Sequence, residues 1–374
     1  MPITRSLSNG LTVTDWTQEV NEIDNQYGLI NDSGLFVGEG TSQESVIFDK
    51  NTVTRTLIPQ THKRGGTPSK GKDRKVETFA LALPYFNHQD YVTPQDIQGW
   101  RQAGTADQPK LLATAIADKW EDMLNDFDQT KEYMKCRALT GVTVDPEGQV
   151  LANMFTVLGE TETFIDFDLG NAAADIDGKI AQLKRTVAKQ AKQGGRIGRI
   201  EVMVTPDFFD ALVNHPQLRE AYLHYSASAP SDTIRADLAR FEAWGVVDTF
   251  VHKGMMFYSY DAEFAIEDND GDPVTHAWYQ TSDGSGTPVD DFDGMNTDGL
   301  AGKGGYTIVN GLRSAYRGYF GPANTLSGAN SVGQEVFAYQ YRDPKDKFHE
   351  LELESSPLYV LTTPRLSVRV YTSS

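Results

Sequence analysis

The residues best placed to do chemistry are carboxylates in two acidic, glycine-punctuated stretches. Ile266-Glu267-Asp268-Asn269-Asp270-Gly271 and Val289-Asp290-Asp291-Phe292-Asp293-Gly294 each crowd oxygen ligands into a turn, as a calcium loop does. In both, the first ligand position is apolar (Ile266 or Val289), so both depart from the helix–loop–helix calcium pattern and read as solvated loops. Gly299 to Gly305 is glycine-rich around Lys303. It lacks the spacing of a phosphate loop, and no apolar strand leads into it. The seven histidines offer no HExxH or other close pair for zinc, and no GxSxG elbow presents an activated serine. Cys136 is the single cysteine, so neither an intrachain disulfide nor a cysteine zinc cluster can form. Its place beside Met134 and Leu139 in a helical stretch reads as a buried or half-buried thiol. No catalytic, metal-binding or cofactor-binding residue is assigned, no cofactor is implied, and the chain reads as a non-enzyme.

The most concentrated motif is basic. Lys63, Arg64, Lys70, Lys72, Arg74 and Lys75 fall within residues 62–75, against Asp73 alone. The stretch has no interleaved aromatics on which bases could stack. It also belongs to a chain of net charge −18, and backbone binding of nucleic acid requires a basic surface. These six residues are therefore predicted to contact another copy of the protein, with nucleic-acid contact and a plain solvated turn as alternatives. Charge is segregated elsewhere too. Residues 261–298 carry eleven acidic side chains and no Lys or Arg, and residues 178–200 carry seven Lys/Arg and no acid. Blocks of opposite sign allow copies of one chain to mate.

The elements that position these residues follow from periodicity. The chain has 374 residues, enough for two or three packed regions. No apolar run approaches the roughly 20 residues of a membrane helix, and Met1-Pro2-Ile3-Thr4-Arg5 leads into polar sequence, so folding in a cytoplasm-like compartment is expected. Residues 1–34 are polar and turn-rich and read as an arm ordered only by packing on something else. Residues 35–93 hold two β-like runs, 45–58 and 76–83, around a glycine-, proline- and charge-rich tip. They predict a hairpin of about 60 Å, too long for two strands to stand alone in water. Residues 105–140 predict the longest helix, with Leu112, Ile116, Trp120, Met123, Phe127 and Met134 on one stripe and Gly141 as its stop. Thr105, Asp107 and Gln108 supply its capping groups, with Pro109 in the first turn. Strand-like sequence follows at 142–168, and a helix at 175–193 turns Ile176, Ile180, Leu183 and Val187 inward. A compact section comes next: strand 200–204, helices 206–213 and 233–244, and a strand pair around Lys253-Gly254. Residues 267–305 read as an acidic loop, and the remainder as strands.

This order of elements resembles the major capsid proteins of tailed bacteriophages, and most closely the lambda-type branch of the Hong Kong 97-type fold. Two short motifs carry the likeness to that branch. Arg64-Gly65-Gly66-Thr67 resembles the family's loop element, and Ser355-Ser356-Pro357-Leu358-Tyr359-Val360-Leu361 followed by Pro364 resembles its C-terminal segment. The resemblance implies an α+β fold with an N-terminal arm (1–34), an extended hairpin or E-loop (35–99), a peripheral domain with the spine helix (100–170), an axial domain (171–330) and C-terminal strands returning to the peripheral domain (331–374). The acidic stretch 267–300 is longer than the family's equivalent.

The function so implied is a head protein that assembles with itself into hexamers and pentamers of an icosahedral shell enclosing double-stranded DNA without specific binding. Separate scaffolding, portal and outer decoration proteins are the implied partners, with no membrane; the implied location is the virion, after assembly in the host cytoplasm. Two rivals stay open: an encapsulin-like nanocompartment shell, and a hydrolytic or nucleic-acid enzyme built on the α/β section.

Overall fold

The computed structural model describes residues 3–6, 12–15, 28–52, 75–98, 111–191, 197–219, 248–267, 273–277, 281–282, 288–289, 304–312, 315–326, 328 and 330–372. In chain order the first elements are β1 (Ile3–Ser6), β2 (Thr12–Asp15), α1 (Leu29–Asp32), β3 (Val37–Gly40), β4 (Ser45–Thr52), β5 (Lys75–Ala82), β6 (Phe86–Val92) and α2 (Leu112–Leu139). Then come β7 (Val142–Val144), β8 (Val150–Asn153), α3 (Met154–Leu158), β9 (Thr163–Asp166), α4 (Ile176–Gln190), β10 (Ile200–Val204), α5 (Pro206–Asn214), β11 (Thr249–His252) and β12 (Met255–Ser259). The last are β13 (Glu263–Glu267), β14 (Pro273–Ala277), β15 (Thr281–Ser282), β16 (Pro288–Val289), β17 (Gly304–Val309), β18 (Tyr316–Phe320), β19 (Phe337–Arg342), β20 (His349–Ser355), β21 (Pro357–Leu361) and β22 (Val368–Tyr371).

Three sheets organise the body. A six-stranded sheet runs β11-β12-β10-β17-β22-β9, a five-stranded sheet β1-β2-β19-β20-β6, and a three-stranded sheet β21-β18-β3. The six-stranded sheet shares the largest core with α4, whose Ile176, Ile180, Leu183 and Val187 are fully buried, as their spacing predicts. Asp175 caps α4 by accepting from the Gly178 N–H at 2.9 Å. The turn between β11 and β12 places Lys253 and Gly254 at φ +49° and +70°, the backbone twist that a two-residue hairpin requires. The predicted helix at 233–244 lies outside the described residues.

One expectation needs correction. Residues 267–305 are not loop throughout: β13 pairs antiparallel with β14, and β15 with β16. Polar and acidic residues interrupt the alternation there, which hid the strands. Ile266 pairs with Val274 inside such a ladder, so the first acidic stretch leads out of a strand. The arm is packed on the body, as its composition predicts: β2 pairs with β19 in the five-stranded sheet.

Helix α2 is the spine. Its 28 described residues extend about 42 Å at 1.5 Å per residue. Thr105, Asp107, Gln108 and Pro109 lie outside the described residues. Along the first half, Ala115, Trp120, Met123, Leu124 and Phe127 pack on Leu351, Leu353 and Ala338 of the five-stranded sheet. Leu112 stays exposed. Among the described residues the buried Trp120 indole N–H has no hydrogen-bond partner, so this side chain contributes chiefly area. In the second half the burial has no solvent side: every residue from Lys131 to Leu139 is buried. Tyr133, Cys136 and Leu139 enter the large core, while Met134 and Ala138 face Phe320 and Tyr359. Gly141 ends the helix at φ +87°, where a Cβ would meet the Phe155 ring at 2.4 Å.

Charges are buried with that second half. Glu132 accepts from the Ile30 N–H at 2.9 Å, the Asn31 N–H at 2.7 Å and the Tyr260 hydroxyl at 2.7 Å. Lys135 donates to Asn31 Oδ1 at 2.7 Å. Lys131 pairs with Asp128 at 2.6 Å and with Glu335 at 3.0 Å. Burial pushes the Glu132 carboxyl up and the Lys135 ammonium down from their ordinary ranges. Gly28, at φ +100°, makes room for this carboxylate: a Cβ there would sit 2.2 Å from Glu132 Cδ. At the far edge of the six-stranded sheet, burial raises the Glu162 carboxyl to about 7, opposed by Arg369 at 3.9 Å.

Three outcomes are expected. In urea unfolding of the unassembled subunit, Trp120→Phe costs less than about 1.5 kcal/mol because no hydrogen bond is lost, whereas Trp120→Asp costs several kcal/mol and yields insoluble protein. Glu132→Gln turns an amide donor towards one of the two backbone N–H groups that the carboxylate now accepts from and loses about 3 kcal/mol, with Gly28→Ala destabilising by about 2 kcal/mol at the same junction. Glu162 has a folded pKa above its unfolded value, so the native state binds the extra proton. Stability should therefore fall as pH rises from about 4.5 to about 7. Equilibrium unfolding across that range should show the slope in the parent and its loss in Glu162→Gln.

Candidate assembly surface

The β4–β5 hairpin is anchored on one face only. Its register runs from Ser45↔Ala82 to Thr52↔Lys75. Side chains opposite one another share a face, so Val46 with Leu81 and Phe48 with Phe79 line one side, and Ile47 with Ala80 the other. Phe48, Leu81 and Leu83 pack on Ala152, Met154, Leu358 and Val360, and the Phe48 ring meets Tyr319 edge-on at 5.3 Å. On the opposite face Ile47 is 66% exposed. The anchor explains how a two-stranded ribbon holds its direction: its base is a layer of the body, set by the Ser356–Leu361 segment beneath it. Lys63, Arg64, Lys70, Lys72 and Arg74 lie outside the described residues. Lys75 opens β5, its backbone opposite Thr52.

A second surface, missed by the sequence analysis, is the outer face of the five-stranded sheet. In β20 the leucines Leu351 and Leu353 are fully buried towards α2, so Glu350, Glu352 and Glu354 project from the other face. The register sets Tyr91, Gln89 and Asn87 of β6 beside them, and Tyr341, Tyr339 and Phe337 of β19 on the other side. Glu352 accepts from Asn87 at 2.6 Å and Gln89 at 3.1 Å. Tyr91 donates to Glu350 at 3.4 Å. Glu354, buried at the end of the column, accepts from the Tyr85 hydroxyl at 2.8 Å and the Asn324 N–H at 3.1 Å. Burial raises the Glu354 carboxyl, and the neighbouring Glu352 charge adds to it. The Tyr341 hydroxyl is pushed far up by burial and then by Glu352. Among the described residues no Lys or Arg forms an ion pair with any of these three glutamates. Tyr91 and Phe348 meet edge-on at 5.5 Å at the open end, both partly exposed. Among the described residues the face is acidic and aromatic and pairs with no Lys or Arg. The signal for it was the alternation in His349-Glu350-Leu351-Glu352-Leu353-Glu354.

Elsewhere the described residues hold no group of three or more His, Cys, Asp or Glu side chains placed to hold a metal ion. Cys136 is fully buried, and burial lifts its thiol well above the ordinary range, which removes the thiolate a nucleophile needs. No helix among them is long and apolar enough to cross a membrane.

A sequence profile of the phage major capsid protein E family matches residues 12–372. The chain is 28% identical over 373 residues to the major capsid protein of Salmonella phage Felix O1, with 98% of both chains covered. It is 27% identical over 369 residues to the major capsid protein of Pseudomonas phage KPP10, with 97% of both covered. Among solved structures, a capsid protein described from a prophage of E. coli CFT073 superposes over 100% of both chains with a TM-score of 0.54 at 13% identity, which establishes the shared Hong Kong 97-type fold. The spine helix, the anchored hairpin and the two large sheets are thus those of a head-shell subunit, and the chain belongs to the phage major capsid protein E family.

Proposed function

We propose that this capsid protein builds hexamers and pentamers of an icosahedral, DNA-filled head, and that the E-loop hairpin carries its main contact to a neighbouring copy. The observation that carries the reading is the one-sided anchor: β4–β5 packs through Phe48, Leu81 and Leu83, and its other face stays open at Ile47. Residues 100–170 and 331–374, with α2 and strands β19 and β20 of the five-stranded sheet, act as the peripheral domain, and residues 171–330, which supply β10, β11, β12 and β17 of the six-stranded sheet, as the axial domain. Lys63, Arg64, Lys70, Lys72, Arg74 and Lys75 meet carboxylates of the neighbour. Exposed ion pairs contribute only about 0–1 kcal/mol each, weak enough for assembly errors to dissociate, while repetition over a closed shell makes the sum large. Separate scaffolding, portal and decoration proteins complete the head, which assembles in the host cytoplasm. The net charge of −18 suits an inner wall that does not hold packaged DNA.

Deleting residues 60–74 is expected to leave a folded subunit that makes no stable shells by sedimentation and electron microscopy. Normal particles from the deletion would end the proposal. Reversing Arg64 and Lys72 to Glu should lower particle yield without shifting the melting temperature of the unassembled subunit. Undecorated wild-type shells should loosen near 1 M salt, where the Debye length is about 3 Å. Light-scattering curves against salt that coincide for wild type and variant would show that docking is apolar.

A further inference from the structure

The last turn of α2 buries an arginine that no acidic side chain answers. Arg137 is 2% exposed, and among the described residues its Nε and Nη1 have no hydrogen-bond partner. The carbonyls nearest it along the chain are already engaged. Thr140 donates to the Arg137 carbonyl through its N–H at 3.0 Å and its hydroxyl at 2.7 Å, and Ser367 donates to the Leu139 carbonyl at 2.6 Å. Burial is the strongest influence on the guanidinium. After it come the Tyr133 and Tyr306 hydroxyls, a second arginine (Arg369) and Cys136, none of them a carboxylate. Arg369 is also buried, in the middle of a row across the six-stranded sheet. The register sets it between Tyr306 of β17 and Phe164 of β9, with its Cζ 5.7 and 5.8 Å from the two ring centroids. Glu162 stands 3.9 Å from Arg369 Nη1, beyond hydrogen-bond reach, and is the carboxylate on that side.

Two guanidinium groups thus share a dry place with one carboxylate between them. Desolvation penalises each cation, and at low dielectric their repulsion is strong. A water molecule could accept from the Arg137 N–H groups but would leave the charge uncompensated, whereas an anion does both. We infer that Arg137 and Arg369 hold a small inorganic anion between the end of α2 and the six-stranded sheet, which in ordinary salt is chloride. The burial of Arg137 selects for a small ion, and a halide accepts N–H groups from several directions without a geometry of its own. The bound ion ties the end of the spine to β17 and β22. Its effect opposes screening: the subunit gains from chloride where exposed ion pairs lose.

The test melts the full-length, unassembled subunit at a fixed ionic strength of about 0.3 M while sodium chloride replaces sodium gluconate, so that screening stays constant. Gluconate is too large for the site. The wild-type midpoint should rise by about 2 °C, the shift expected when the anion reaches about ten times its Kd. Arg137→Met removes the buried charge and keeps an unbranched side chain. Its midpoint should be flat across the series and, without chloride, no lower than that of wild type. Glu162→Gln removes the competing negative charge and should steepen the rise. Crystals of the wild-type subunit soaked in bromide should give an anomalous peak beside Arg137. A wild-type midpoint that ignores chloride overturns the inference. An equal rise in wild type and Arg137→Met also overturns it, since that would be weak binding at the general surface. Should Arg137→Met fail to fold, the bromide peak decides on the wild-type chain: its presence beside Arg137 supports the site, and its absence means that water alone covers the arginine.

Discussion

A buried carboxylate joins three separate parts of the subunit. Glu132 lies on the half of α2 that is buried on every side, and a desolvated charge is tolerated only when donors replace its hydration. The donors come from different parts of the chain: the backbone of α1 through Ile30 and Asn31, and Tyr260 just after β12. An apolar residue in that place would adhere to any apolar partner. A carboxylate accepts only a defined geometry, so the arm, the spine and the end of β12 in the six-stranded sheet are fixed relative to one another by direction as well as by contact. Lys131, Asp128 and Glu335 repeat the device one turn away and tie the chain entering β19 to the same helix.

Against that rigid junction, the hairpin base is held by apolar packing on one side only, and the five-stranded sheet turns a wet, charged face outward. The division suits a shell. The interior of each subunit is over-determined, while the candidate contact surfaces, the open face of the hairpin and the sheet face around Glu350 and Glu352, carry no such buried network among the described residues. A shell in which one sequence occupies slightly different environments needs its variation at the contacts, and a locked spine confines it there.

Much of this was legible in the sequence. The stripe Trp120, Met123, Phe127 and Met134 and the buried face of α4 were readable because helical period and apolarity coincide. The hairpin base was readable from alternation and its flanking turns, and the family from the order of these elements. The junction was not. Asp128, Lys131, Glu132 and Lys135 have the spacing of a helical stripe, but a charged stripe normally means a solvated face, and only the approach of α1 and Glu335 reverses that reading. The strands β13 and β14 were missed because acidic residues around them mimic a loop. The glutamate face was visible as alternation in β20, yet which side meets α2 depends on a long-range register.

The pairing of β22 has a further consequence, in time. Val368–Tyr371 lies between β17 and β9, an interior strand whose parallel partner β9 is about 200 residues earlier in the chain. Until residue 371 has left the ribosome, β9 has no neighbour there and β17 has an open side. The six-stranded sheet cannot close during synthesis, and closing it requires loops of high entropic cost before any contact rewards them. For most of its translation the nascent chain therefore exposes unpaired strand edges in a crowded cell, the condition under which chains aggregate. With this topology the sheet closes last, after the whole chain through Tyr371 is available.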